Sequence, residues 1–493
     1  MPNDKFIIIT LLCFFIFLKA LFLITYRYLS VLNTLSFMTK LRKEIYYSFF
    51  ITKYGLSSHK KSEFTNAISV QSNLAQSAMQ VQFNIMESIL ILFALILLSL
   101  LVSTEVLIIS LITGTIIFLS FLFTIKYSRK WAKNLSMENQ SLFNILNKSL
   151  SNFKYIKVTN SNFKFYQEIV PILNQIKNLT LKFVLLNRGS KILIEPIVLI
   201  TLSVIFFISI KFFKTPIPTI LIMYVLLGRM FGKILGLLSQ FQEYSQHIVS
   251  VDYCYNLLNN NKKNEEKFGK IKFNSINDIS FFQVFFSHKN KSIIKNLTFK
   301  IKKNKITTIY GKSGSGKTTI SNLLMGLYES ESGSITINNI EISNYDLNFY
   351  RSKIGYVSQD NTVFNISLRD NLKLRNNKLS DKILVKYIKL FDLDTIFEDK
   401  NINLDLMIDE SSSNLSNGEK QRICIIREIL MNPELLILDE ITSAVDQAGI
   451  LKILKLLKKI KSKTTMFIIT HQNEYKSISD FNYKINNKKL ESI

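Results

Sequence analysis

Gly311-Lys312-Ser313-Gly314-Ser315-Gly316-Lys317-Thr318 is the stretch that decides the fold of the second half of this 493-residue chain. The β-branched run Ile306–Tyr310 before it predicts a buried strand, and residues 318–327 predict a helix. A strand, a glycine-rich loop and a helix in this order surround nucleotide phosphates with backbone N–H groups at a helix N-terminus. The predicted phosphate site comprises Gly311, Lys312, Ser313, Gly314, Ser315, Gly316, Lys317, Thr318 and Thr319.

Four side chains have more specific predicted roles in nucleotide chemistry. The Lys317 ammonium can reach the β- and γ-phosphates, and the Thr318 hydroxyl is a candidate Mg²⁺ ligand. Further along, the apolar run 435–438 predicts a buried parallel strand that delivers Asp439 and Glu440 at its carboxyl end. We expect Asp439 to hold Mg²⁺ through water, and Glu440 to polarise the attacking water as general base.

The segment Leu415-Ser416-Asn417-Gly418-Glu419 admits two interpretations. Taken alone it is a Ser-x-x-Glu capping box that opens a helix, which is a purely structural role. The same helix N-terminus can also present the Ser416 hydroxyl and the Gly418 N–H to a phosphate. Its place between the glycine-rich loop and the carboxylate strand favours the phosphate interpretation.

These motifs, in this order, resemble the ATP-binding cassette (ABC) family. The resemblance implies that Ser416 and Gly418 contact the γ-phosphate of an ATP held by an opposite subunit. It also implies that Gln359 binds nucleotide and Mg²⁺ and links them to the membrane domain. Asp446 would lie in the loop that crosses the dimer interface, and His471, after an apolar strand, would contact the γ-phosphate as a catalytic residue. The segment 364–371 looks like the exporter branch of that family.

Three features depart from the common pattern of the family. Asn417 stands where glycine is common, so we expect altered affinity or rate with activity retained. His288 occupies the position of the adenine-stacking aromatic residue, with Phe285 and Phe286 close by. Exporters of this type usually have six spans per chain, whereas this sequence shows five, and we expect the missing element to be the first helix of the family.

The first half of the chain is predicted to be a membrane domain. Five apolar stretches are long enough to span a bilayer, which takes about 20 residues each. They cover residues 6–28, 85–102, 106–125, 192–213 and 217–238. The long connections 29–84 and 126–191 are rich in Lys and Arg, which places them in the cytoplasm, and their apolar spacing predicts helices that continue past the bilayer.

The predicted fold is therefore an all-α membrane bundle followed by an α/β P-loop NTPase cassette. We expect a transmembrane domain over 1–250, a linker over 251–270 and a cytoplasmic nucleotide-binding domain over 271–493. The net charge of +26 raises the alternative of nucleic-acid binding. No RNA- or DNA-binding motif accompanies the charge, and a membrane domain accounts for it, so we expect no nucleic-acid partner.

The resemblance implies an ATP hydrolase coupled to transport. We expect a half-transporter with ATP and Mg²⁺ as cofactors, working as a homodimer or as a heterodimer with a related half-transporter. It would contact membrane lipid and an unidentified solute, such as a peptide, a lipid or a drug-like molecule, in a bacterial inner membrane. The alternative is a membrane-anchored ATPase that gates or senses without moving a solute.

Overall fold

The computed structural model describes residues 2–57, 61–102, 104–211, 216–288, 291–312, 314–397, 402–408, 415–441, 447–486 and 488–492. Two compact units make up the chain. The first comprises Met1–Thr52 and Leu56–Glu265, and the second comprises Lys53–Gly55 and Glu266–Ile493. The residues assigned by sequence to the start of the linker, 251–263, continue the last helix of the first unit.

The first half of the chain is helical throughout its described residues. Its helices are α1 (Pro2–Ile51), α2 (Tyr54–Ser57), α3 (Lys61–Asn66), α4 (Ser72–Leu100), α5 (Thr104–Ser151), α6 (Phe153–Val158), α7 (Asn162–Lys211) and α8 (Ile217–Lys263). A 50-residue helix such as α1 is about 75 Å long, whereas the hydrocarbon core of a bilayer is about 30 Å thick. Such a helix is longer than a bilayer is thick; that the long helices continue into the cytoplasm stays a prediction.

Four helical stretches among the described residues are long and apolar enough to cross a membrane. They are Ile9–Ile51, Lys61–Leu100, Asn162–Leu186 and Pro218–Lys263. The predicted spans 106–125 and 192–213 fall largely in α5 and α7, where most side chains lie outside the described residues. Between the long helices, Leu95, Leu202, Met223, Leu227 and Phe231 form part of a buried core.

The second unit is an α/β domain with two sheets. Its strands are β1 (Asp278–His288), β2 (Lys291–Lys302), β3 (Ile306–Tyr310), β4 (Ser332–Ile337), β5 (Ile340–Glu341), β6 (Ile354–Val357), β7 (Leu435–Asp439), β8 (Thr465–Thr470), β9 (Phe481–Asn486) and β10 (Lys489–Ser492). Its helices are α9 (Lys317–Leu324), α10 (Leu347–Ser352), α11 (Leu368–Lys373), α12 (Asp381–Leu390), α13 (Asn417–Ile429) and α14 (Gln447–Ile460).

The six-stranded sheet, in the order β10-β9-β3-β8-β7-β6, positions the functional residues. β3 pairs in parallel with β8, and β8 pairs in parallel with β7, with Ile309 and Asp439 both opposite Ile469. Every residue of β3, β7 and β8 is buried, as expected of parallel strands covered on both faces. Their carboxyl ends therefore meet at one edge of the sheet, where ligands bind in such folds.

Candidate nucleotide-binding site

The glycine-rich loop follows β3 and leads directly into α9. Gly314 and Gly316 have φ values of +75° and +100°, a left-handed backbone that only glycine adopts readily. A Cβ on Gly316 would also lie 3.0 Å from the Cγ2 atom of Ile293. Ser313 lies outside the described residues. The loop thus turns tightly enough for its N–H groups and the α9 N-terminus to face one cavity.

That cavity has a volume of about 530 Å³. Its lining residues are Lys291, Ser292, Ile293, Gly314, Ser315, Gly316, Lys317, Thr318, Thr319, Gln359, Glu440 and Lys488. Residues from the loop, from the end of β6 and from the end of β7 therefore meet in one place, although they are far apart in sequence.

The buried Lys317 ammonium, which lines this cavity, makes three polar contacts. Its Nζ donates to the carbonyl oxygens of Gly311, at 2.8 Å, and Lys312, at 3.1 Å. It also lies 3.0 Å from Oε1 of Glu440, in an ion pair whose side chains are 5% and 15% exposed. Lys317 is therefore held by partners that a bound phosphate would have to replace.

Glu440 is fixed from both sides. Its Oε2 atom accepts a hydrogen bond of 3.0 Å from Nε2 of Gln359, and its backbone N–H donates to Ile469 at 2.8 Å. Its φ of +51° is rare for a residue with a side chain. Such backbone conformations cluster at functional sites, where the surrounding structure holds them in place.

Asp439 ends β7 and is almost fully buried. Burial is the main reason that its carboxyl pKa is raised to about 6; a hydrogen bond from the Thr318 side chain and the nearby Lys317 lower it, and Glu440 raises it. The Oδ1 atom of Asp439 is buried and has no hydrogen-bond partner among the described residues. Such an oxygen, beside a hydroxyl, has the chemistry that Mg²⁺ prefers, so Thr318 and Asp439 fit the ion implied by the motifs.

The amide of Gln359 contacts Glu440, so its predicted role as a third Mg²⁺ ligand stays a prediction. No group of three or more His, Cys, Asp or Glu side chains that could hold a metal occurs in the described ranges. The predicted ligands Thr318, Gln359 and Asp439 include only one residue of those types.

The Ser416 segment lies in a different cavity from the phosphate loop. Ser416 caps α13 in a complete capping box with Glu419, so the structural interpretation holds. Ser416 and Gly418 line a cavity of about 310 Å³ together with Arg422 and Lys452. Among the described residues of one chain, the N-terminus of α13 and Lys317 therefore line different cavities.

The remaining predicted residues are found in three situations. His471 is exposed directly after β8, at the same sheet edge as Glu440. His288 ends β1 and is half-buried; it is absent from the lining of the phosphate cavity. Asp446 lies outside the described residues. The roles predicted for these three residues stay predictions.

Sequence reasoning missed two lysines that line the phosphate cavity. Lys291 begins β2 and Lys488 precedes β10, in a turn where its φ is +67°. No motif marks either residue, because they reach the cavity through strand pairing. Lys488 approaches the cavity because β9 pairs with β3, which brings the turn after β9 close to the glycine-rich loop.

Comparison with known proteins identifies the family. The family model for the ABC transporter transmembrane region matches residues 2–234, and the ABC transporter model matches residues 294–443. The chain belongs to the ABC transporter family. Both models on one chain make it a fused half-transporter, as the motifs predict.

Individual ABC proteins resemble this chain over part of their length. The heterocyst differentiation ATP-binding protein HepA of Nostoc sp. is 30% identical over 307 residues, which are 61% of this chain and 49% of HepA. The alpha-hemolysin translocation ATP-binding protein HlyB of Escherichia coli is 32% identical over 251 residues, or 50% of this chain and 35% of HlyB. The chain thus spans half or less of the length of these curated relatives.

A solved structure confirms the ABC exporter fold. A bacterial Atm1-family ABC exporter with ATP bound superposes with a TM-score of 0.80 at 19% identity, covering 93% of this chain and 82% of that one. The predicted combination of a helical membrane region and an α/β cassette is therefore confirmed. The gating or sensing alternative is not favoured by these likenesses.

A pH dependence follows from the raised pKa of Asp439. Because the pKa of Asp439 in the folded protein lies above the ordinary value of 3.8, its neutral carboxyl stabilises the fold fully below about pH 4, and this stabilisation is lost as the pH rises through about 6. Metal affinity changes in the opposite direction and rises with pH, because only the ionised carboxylate binds a cation. We expect Mn²⁺ affinity, measured by electron paramagnetic resonance without nucleotide, to fall about tenfold from pH 7 to pH 5. Asp439→Asn is the matched control and should show no such pH step; an equal step in both proteins contradicts the assignment.

Proposed function

We propose that the chain is one half of a dimeric exporter that binds and hydrolyses ATP with Mg²⁺ and moves a solute across a membrane. The contact of Lys317 with Glu440, beside a glycine-rich loop, is the observation that carries the proposal. It joins a phosphate-binding cation to a carboxylate suited to general-base work. We further propose a bacterial inner membrane as the location, with the second unit in the cytoplasm.

The first step follows from competition for Lys317. A triphosphate entering the loop offers oxygens to the Lys317 ammonium, which then leaves the carboxylate of Glu440. Glu440, still oriented by the Gln359 amide, is then available to accept a proton from water. The resting contact thus links the general base to occupancy of the phosphate site.

Thr318 and Asp439 would hold Mg²⁺, which supplies charge neutralisation at the phosphates when bound. The Asp439 carboxyl must be ionised for this role, and Lys317 favours that form. His471 directly follows β8, lies at the same edge and would donate a hydrogen bond to the terminal phosphate. Asp439 and His471 thus stand at the ends of buried strands and Thr318 in the first turn of α9, which favours a preorganised site.

The separate position of Ser416 supports a site shared between two chains. The N-terminus of the 13-residue helix α13 presents N–H groups and a partial positive charge, which suit a phosphate. Since these groups and Lys317 line different cavities of one chain, we propose that a second subunit supplies them. A second copy of this chain is the simplest partner.

Mixing two inactive variants tests the shared site. Lys317→Ala removes the phosphate-binding cation, and Gly418→Asp adds a negative charge at a helix N-terminus, where it favours the fold but repels phosphate. Each variant alone should have almost no ATPase activity in lipid nanodiscs. Randomly mixed dimers should recover roughly a quarter of the wild-type rate, because half of the dimers carry one intact site out of two.

The controls separate the possible failures. Lys420→Asp, which adds the same type of charge later in α13, should leave hydrolysis near the wild-type rate. No recovery in the mixture, with an active wild-type protein, would refute a site shared by two copies. An inactive wild-type homodimer would indicate a related but different half-transporter as the partner.

A further inference from the structure

A strongly basic cavity lies within the first unit, between α5 and α8. Its volume is about 780 Å³, which is within the range of about 300–1,000 Å³ typical of ligand pockets. From α5 it is lined by Lys126, Arg129, Lys130 and Lys133, and from α8 by residues that include Asp252 and Tyr253. Neither the ATP chemistry nor the family match assigns it a role.

The four cations are close neighbours on α5. Lys126 lies three residues before Arg129 and four before Lys130, and Lys133 follows these two at four and three residues, which are the spacings that bring helix side chains together; Arg129 and Lys130 are adjacent in sequence. Like charges at this spacing destabilise a helix, so the arrangement is unfavourable by itself. An anion in the cavity would relieve the repulsion.

The cavity has little negative charge of its own. Arg129 lies 3.4 Å from a carboxylate oxygen of Asp252, with both side chains more than half exposed, so this ion pair is weak. Within the described part of the chain, Lys126, Lys130 and Lys133 form no ion pair. A concave site lined by one sign of charge concentrates ions of the opposite sign.

Arg129 adds directional donors to these cations. Its guanidinium can bind two oxygens of one anion at once, whereas the lysine ammonium groups act as point charges. Phosphate has the oxygen count and the charge to bind this guanidinium together with several ammonium groups.

The position along α5 also suits a ligand at a membrane surface. The basic segment begins immediately after the predicted span 106–125, at the level where lipid headgroups lie. The general excess of Lys and Arg on the cytoplasmic side explains why cations occur there. It does not explain why four of them line one cavity.

We propose that this cavity binds the phosphate group of a ligand, either a lipid headgroup or a soluble phosphate ester. As an assignment of the exported solute, the inference rests on the proposed function; as a binding site, it stands on the cavity alone. The solute class that follows is an anionic, phosphate-bearing compound.

Trp131 provides the measurement, because it is the only tryptophan of the chain and lies in the basic segment of α5. Full-length protein is placed in phosphatidylcholine nanodiscs without nucleotide, and brominated phosphatidylglycerol or brominated phosphatidylcholine is titrated in. We expect the phosphatidylglycerol to quench Trp131 at a lower mole fraction. Glycerol 3-phosphate, added to discs without brominated lipid, tests the soluble source through a change in Trp131 emission.

Matched charge variants test the site. The cavity variant is Lys126→Gln/Lys130→Gln/Lys133→Gln, and the control variant is Lys164→Gln/Lys177→Gln/Lys182→Gln, on exposed positions of α7. The mole fraction for half-maximal quenching should rise at least about tenfold in the cavity variant only, because each lysine near a membrane surface strengthens anionic-lipid binding roughly fivefold.

Each outcome decides the question. Lipid preference that is lost only in the cavity variant supports a headgroup ligand. A response to glycerol 3-phosphate with the same variant dependence, and no lipid preference, supports a soluble ester. Equal behaviour of the cavity and control variants, or no response to either probe, overturns the proposal. Because no nucleotide is present, this result is independent of whether the chain hydrolyses ATP.

Discussion

Glu440→Gln is expected to lower the rate of ATP hydrolysis by about 10²- to 10⁴-fold, the range associated with loss of a general base. Glutamine keeps the size of the side chain and can still bond Gln359, but it cannot accept a proton from water. The exchange also removes the negative partner of Lys317, which lies 3.0 Å away in the resting site. ATP then no longer competes with a carboxylate, so its affinity should be unchanged or higher.

The measurement is phosphate release alongside equilibrium binding of a fluorescent ATP analogue, both in nanodiscs. Glu341→Gln, an exposed position on β5, carries the same change of charge and should behave as wild type. Hydrolysis by Glu440→Gln within tenfold of the wild-type rate would show that another group acts as the base. Loss of ATP binding would show instead that Glu440 supports the fold of the loop.

Lys317→Ala is expected to weaken ATP binding by at least about 100-fold, since it removes a buried, charge-assisted contact to phosphate. The same change leaves Glu440, with a side chain only 15% exposed, without its positive partner. Breaking a buried ion pair on one side is costly, and partial exposure reduces the cost to about 2 kcal/mol here. Local stability and nucleotide binding should therefore both fall.

A second substitution separates these two effects. In Lys317→Ala/Glu440→Gln the unpaired charge is gone, so stability should return while ATP binding stays weak. Hydrogen exchange of the β7 amides measures the stability, and the fluorescent analogue measures the binding. If the double variant remains as unstable as Lys317→Ala, the lost stability came from packing of the aliphatic part of Lys317. The ion pair with Glu440 then contributes little to stability.

The parts of this protein that local chemistry determines could be predicted from its sequence. The glycine-rich loop needs left-handed φ values at Gly314 and Gly316, and the buried strand before Asp439 needs an unbroken apolar run, so each is visible in a short window. The membrane helices are visible for the same reason, because apolar length alone decides them. Family membership and fold class followed from these windows.

Contacts that depend on strand register could not be predicted from the sequence. The meeting of Lys317 with Glu440 requires β3, β8 and β7 to pair in parallel with one particular alignment. The approach of Lys488 to the same cavity requires β9 to pair with β3. No local pattern encodes those alignments, since they result from packing of elements distant in the chain.

The fully buried parallel strands limit how the candidate nucleotide site can change. A change of volume inside β3, β7 or β8 displaces the residues at their ends and so disturbs that site. Exposed apolar residues of α1 such as Phe22 and Ile24, each 69% exposed, can exchange one apolar side chain for another at little cost. Under the proposed export function, the two halves would therefore drift at unequal rates, and new solute preferences would arise by remodelling the helical half while the strands of the second unit change little.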